Sequence, residues 1–251
     1  MSRWKAGAIH FSISLAVFLV LLGVILLVWY PGILFSVDGG WSGLRIVIGV
    51  DLVLGPLLTL IVFKSGKPGL RFDLACIGTA QAVCMAAGMW IVYQERPIAL
   101  VLAYDTIYSL ARQEFEELGR DYRVLDEIPG SWPKLVYTEL PENDISADIA
   151  AIRSQFIGDP LYIQTERYRA MPEEADQVRQ VFRREQLVRA EISAELAERL
   201  QEDCLLSKFV SAVTSGYVCF DPEARRLSRF YAFEYQRDPG VVAASAGLVQ
   251  D

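Results

Sequence analysis

Three stretches of the chain are apolar over a length that no ordinary core element needs. Residues 6–30 carry a single ionisable group, His10, and residues 74–93 carry no charged side chain at all. Residues 46–63 form a third run, broken only by Asp51. A helix needs about 20 apolar residues to cross a hydrocarbon core, so the pattern predicts three spans, at about 6–30, 46–63 and 74–93. Beyond them the pattern changes to short apolar runs between charged segments, which predicts a separately folded α+β domain over 98–237. Within it, 98–104 and 134–140 read as strands. Asp105 reads as the cap of a helix to about residue 118, stopped by Gly119, and a second helix runs from Pro141 or Asn143 to about 157. A long charged helix follows at about 172–203, with its apolar stripe gapped at Glu185, and that gap leaves open a division into two shorter helices. Residues 217–220 and 227–233 read as a hairpin, and 238–251, rich in Gly, Ala, Ser and Val, as an unordered tail.

The middle run is the unusual one. An aspartate at the centre of a membrane helix costs about 2.5–3.5 kcal/mol on insertion scales, and Asp51 sits nearer the start of its run, where the cost is lower. Gly55 and Pro56 follow, and Pro56 removes a backbone donor and bends the helix. The expectation is a helix that shows a polar group and a kink to protein rather than lipid; the alternative is an aspartate snorkelling to the outer interface. On the third run Gly78, Ala82 and Ala86 recur every four residues, as do Ala80, Cys84 and Gly88. Such small-residue ridges permit close helix approach. Counted from the outer ends, Asp51 should lie about as deep as Gly88, with His10 too far away to pair with it.

Charge adds an orientation. Arg3 and Lys5 precede the first run, and Lys64, Lys67 and Arg71 separate the second from the third, whereas the 31–45 loop holds only Arg45, opposed by Asp38. The positive-inside rule then puts the N-terminus in the cytoplasm and the C-terminal domain outside. The first run is too long for a signal core and lacks a small-x-small cleavage pattern, so an uncleaved anchor is expected. Residues 1–93 carry a net charge of +3 and residues 94–251 one of −10. An acidic outer domain disfavours nucleic acid and anionic lipid as partners.

Chemistry is largely excluded. With His10 as the sole histidine, a Ser-His-Asp or Cys-His constellation outside the membrane cannot be assembled. No Gly-rich phosphate loop is present, and neither cofactor, metal nor enzymatic activity is expected. Cys204 and Cys219 fall in the outer domain, an oxidising place under this topology, and an intramolecular disulfide between them is expected.

The succession Trp29-Tyr30-Pro31, Gly39-Gly40, Gly49-Val50-Asp51 and Gly55-Pro56-Leu57-Leu58-Thr59-Leu60, followed by Lys67, Asp73, Gln81 and Arg96-Pro97, resembles the type IV pilin accessory protein family. The resemblance covers roughly residues 1–110. It implies a non-enzymatic, multi-pass protein of the bacterial inner membrane that helps a cognate major pilin through assembly or through the balance of extension and retraction. Its membrane part would meet the pilin's hydrophobic N-terminal helix and its outer, periplasmic domain the pilin's globular head, a chaperone-like role. Other inner-membrane pilus machinery is a further candidate partner. Two other classes stay open: a membrane-anchored periplasmic sensor or adaptor, and an ion-coupled translocation component using Asp51.

Overall fold

The computed structural model describes residues 2–200 and 203–233; the expected tail at 238–251 lies outside them. Helix α1 (Arg3–Val24) starts at Ser2, whose side chain caps the Lys5 amide at 3.3 Å. It runs on through a π-helical stretch, Ile25–Trp29. After the short α2 (Leu34–Val37), a composite helix is built from α3 (Gly40–Val47), a π stretch (Ile48–Leu54) and α4 (Gly55–Val62). Helix α5 (Leu70–Glu95) completes the group. Two of these helices, Arg3–Trp29 and Leu70–Glu95, have the length and apolarity to cross a membrane; the apolar part of the composite helix, Asp51–Val62, is shorter.

The Gly55-Pro56 step does not break the composite helix. A proline inside an α-helix has no N–H to give, and its ring crowds the carbonyl four residues before it. The wider π turns immediately ahead of Pro56 accommodate both, leaving it at the first turn of α4, where a missing donor costs least.

The C-terminal part is one mixed sheet of seven strands: β1 (Ala99–Ala103), β2 (Thr106–Leu110), β3 (Lys134–Thr138), β4 (Tyr168–Ala170), β5 (Leu205–Val210), β6 (Ser215–Asp221) and β7 (Arg226–Ala232). Their order is β4-β3-β1-β2-β5-β6-β7. The β1–β3 and β2–β5 pairs are parallel and the others antiparallel. Alternation along β1 splits the core in two. Leu100 and Leu102 join Ile25, Tyr30, Leu34, Val37 and Val92 from the apolar helices and α2. Ala99, Val101 and Ala103 face the opposite layer, with Phe115, Leu125, Leu161 and Ile163. One face of the sheet therefore rests on the ends of α1 and α5 and on the loop between α1 and α3.

The helix expected from Asp105 to about 118 is corrected. Tyr104, at φ 63°, turns the chain back, and Thr106–Leu110 pairs with β1 along its length. Only α6 (Arg112–Glu117) is helical there. Ile107, Leu110 and Phe115 suit a helical spacing, but the β-branched and aromatic Thr106, Ile107 and Tyr108 fit a central strand held between β1 and β5, and tertiary pairing wins. Over 172–203, where one long helix or two shorter ones divided at Glu185 were expected, there are three: α8 (Ala175–Val181), α9 (Glu185–Glu191) and α10 (Ala194–Arg199). The first break falls beside the gap at Glu185, whose carboxylate accepts from the Leu206 amide at 3.0 Å instead of continuing a stripe. The second is set by Ser193, which caps α10. Helix α7 (Asp144–Phe156) begins where its cap residue Asn143 accepts from the Ser146 amide at 3.2 Å. Strands β4 and β5 have no counterpart in the sequence reading.

Candidate functional site

Asp51 lies on the π stretch, 4 % exposed, where it faces both long helices. Its Oδ1 accepts from Ser14 Oγ of α1 at 3.1 Å and from Gln81 Nε2 of α5 at 3.2 Å. One carboxylate oxygen thus ties three helices together. Its Oδ2 is buried and, among the described residues, has no hydrogen-bond partner. Deeper toward the N-terminal end of α1, His10 Nδ1 and Thr59 Oγ1 of α4 lie 2.5 Å apart. Gly55 makes the cluster possible, because a Cβ built there would fall 1.9 Å from Gln81 Nε2. Pro56 is buried beside it.

The depth match of Asp51 to Gly88 is corrected. Asp51 is level with Gln81, seven residues and about 10 Å away along α5. The composite helix starts at Gly40 rather than near 46, and those extra residues carry Asp51 further from the domain end. Gly88 is buried, whereas Gly78, Ala82 and Ala86 line an exposed face of α5, with nothing within 4 Å of a Cβ at Gly78.

The second polar centre joins the helices to the sheet. Asp38, in the loop after α2, is buried and accepts from Ser109 Oγ of β2 at 2.6 Å. Burial pushes its carboxyl above the usual range, while hydrogen bonds from Ser109 and Ser211 pull the other way. Ser211 also reaches the Val37 carbonyl at 3.4 Å. Gly39 holds φ +85°, and a Cβ on Gly40 would sit 2.7 Å from the Phe35 carbonyl oxygen, so this tight turn needs both glycines. Arg96 donates to the Tyr93 carbonyl at 2.5 Å and lies 3.7 Å over its ring. Pro97 is buried between α5 and β1, and Pro31 lines a cavity of about 500 Å³ with Trp132 and Leu227. At the far end of the helices Lys67 and Asp73 pair at 2.5 Å on the surface.

Cys204 and Cys219 are bridged, with Cα atoms 5.0 Å apart, inside a cluster with Val188 and Leu206. Among the described residues, no group of three or more His, Cys, Asp or Glu side chains is placed to hold a metal ion. Sequence reasoning passed over Ser14, a polar residue in an apolar helix whose only signal was that polarity, and it took Asp38 merely as a counter-charge. Ser109 and Ser211 gave no signal, because a serine in a short segment is ordinary.

Buried polar groups that bind element to element, rather than facing a cleft, define a protein built around apolar helices that carry a mixed-sheet domain. Comparison with known proteins gives that class a family. Over 132 residues, 52 % of its length, the chain is 32 % identical to the fimbrial assembly proteins of serogroups I and E1 from Dichelobacter nodosus. Over 127 residues it is 32 % identical to the fimbrial assembly protein of serogroups C1 and C2 from the same organism, and 91 % of that protein is covered. The chain spans about half the length of the serogroup I and E1 relatives, 48 % of each. No protein-family model matches, and no solved structure does. The chain belongs to the family of these fimbrial assembly proteins, the type IV pilin accessory proteins.

Proposed function

We propose that this protein is a non-enzymatic accessory protein of the bacterial inner membrane that assists the assembly, or the extension and retraction dynamics, of a cognate type IV pilin. The observation that carries the reading is the 32 % identity to a fimbrial assembly protein covered over 91 % of its length. On this reading the composite helix crosses the membrane as a third span. Its helical path from Gly40 to Val62 has 23 residues, enough for about 34 Å. The N-terminus and the Lys67–Asp73 turn are then cytoplasmic, and the sheet domain periplasmic, where the Cys204–Cys219 bridge suits an oxidising compartment.

The pilin's hydrophobic N-terminal helix would meet the exposed apolar sides of α1, α4 and α5, the small-residue face of Gly78, Ala82 and Ala86 among them, and its globular head would meet the outer domain. Two contact surfaces that must match at once would confine the protein to one pilin. Clean deletion should reduce surface pili or twitching while pilin is still made, and crosslinkers on α4 and α5 should capture pilin from the membrane pool. A periplasm-active reporter should work when fused after the sheet domain and fail when fused after Lys67. Normal piliation after deletion, with no crosslink to pilin from either half, would favour a periplasmic sensor or adaptor.

A further inference from the structure

Helix α7 turns the wrong way for a helix in a monomer. Its small residues Ala147 and Ser154 are buried against the domain, 0 % and 4 % exposed, while Ile145, Ile149, Ile152 and Phe156 point outward at 70 %, 59 %, 57 % and 86 %. Ile157, just past its end, adds 60 %. Together these side chains present on the order of 500 Å² of apolar surface, at the top of the range for the largest patch on a soluble monomer.

Lipid does not cover it. Ala151 of α7 packs with Ala99, Val101 and Ala103 in the layer of the sheet opposite the apolar helices, and Tyr104, just past β1, donates to Asp148 of α7 at 2.8 Å. Arg184 pairs with the same Asp148 at 3.1 Å and with Asp144 at 3.2 Å. The helix is therefore fastened to the face of the sheet turned away from the apolar helices.

The spacing of the stripe names its occupant. Ile145, Ile149, Ile152 and Phe156 are separated by four, three and four residues, a pattern that reads the same in both directions and is the seam of a coiled coil. Laid antiparallel on itself about a two-fold axis between residues 150 and 151, the seam sets Ile145 against Phe156 of the second copy and Ile149 against Ile152. The same superposition places Arg153 opposite Ser146 and Asp148 opposite Gln155, so no like charges meet. A two-fold interface uses one patch twice. Two such patches would bury about 1,000 Å² in total, around the lower bound for a specific interface.

We propose that α7 is a dimerisation helix, through which two copies of this chain join by an isologous antiparallel contact of the Ile145, Ile149, Ile152 and Phe156 seam.

The test uses the full chain in its native membrane, with Cys76→Ala and Cys84→Ala removing the free thiols. Differently tagged copies carrying Ile145→Cys and Phe156→Cys should form a mixed disulfide under mild oxidation. Two copies carrying Ile145→Cys should not, because an antiparallel seam leaves them about 16 Å apart along the axis. Ile149→Glu should abolish the crosslink and shift the purified protein to a monomer that keeps its circular-dichroism spectrum and cooperative unfolding, since within one copy that side chain is largely exposed. Equal crosslinking of both pairs, preference for the Ile145→Cys pair, no crosslink in either, or capture of pilin alone would each overturn the proposal.

Discussion

Asp51 is the residue with most to lose by leaving its place. A carboxylate among apolar helices is expensive, and among the described residues this one has two side-chain donors on Oδ1 and none on Oδ2. Replacing it with leucine removes a costly group but strands the Gln81 amide and the Ser14 hydroxyl, at about 1–3 kcal/mol for each buried group left unpaired. Asp51→Leu should therefore lower the amount of protein in the membrane and its piliation, whereas Asp51→Asn, which keeps a carbonyl acceptor for both donors, should be milder. Quantitative immunoblots of membranes and pilus counts check this. Wild-type behaviour of Asp51→Leu in both would remove the packing role, and equal damage from asparagine would make the charge itself the active element. The sequence singled out Asp51 by its polarity and Gln81 by a motif. It could not join them, because two residues 30 positions apart meet only through the relative depth of two helices.

At the scale of elements, the hairpin of β5 and β6 shows how a covalent link and a register reinforce each other. Cys204 precedes β5, Cys219 lies in β6 opposite Leu206, and the bridge closes 15 residues of chain. Arg189 of α9 donates to the Cys204 carbonyl at 2.6 Å, so the link also holds a helix. In the chain-entropy account such a loop contributes about 3 kcal/mol. Thiol labelling of denatured, unreduced protein should find two cysteines, and four after reduction, with a lower unfolding temperature for the reduced form. Four before reduction would reject the bridge. The same part of the chain marks where local reading stops. Helix α7 was legible because Asn143 and a following apolar run are local signals. Strand β2 was misread as helix and β5 went unread, since a short run of alternating and paired apolar residues becomes a strand only when a neighbour supplies its hydrogen bonds.

Across the whole molecule, the decisive contact is between α2, with the turn that follows it, and the sheet. Leu34 and Val37 enter the same core as Phe209, Val218 and Phe220, and Asp38 bonds to Ser109 beside them. Because burial raises the Asp38 carboxyl, the folded state binds its proton more tightly than the unfolded chain does. That stabilising term is fully present below the ordinary carboxylate range and is lost as pH rises through the raised value. Glu114, also raised by burial, acts in the same direction. Unfolding temperature should thus fall as pH goes from acidic toward neutral, and Asp38→Asn, which still accepts from Ser109, should flatten that slope and melt higher at neutral pH. An unchanged slope in Asp38→Asn would show that the carboxylate is charged in the fold.

The sequence by itself determined the apolar helices, the start of α7 near Asn143 and the family motifs, because each is written in consecutive residues. Apolar length, helical period and a capping side chain act within a few turns and need no partner. The tertiary structure alone decided that Asp51 meets Ser14 and Gln81, that β2 lies between β1 and β5, and that Asp38 sits beneath the sheet. Those outcomes depend on groups tens of residues apart being brought to one depth or one register. Only the packed chain, by burying apolar faces and pairing the polar groups buried with them, selects among the many such meetings a sequence allows.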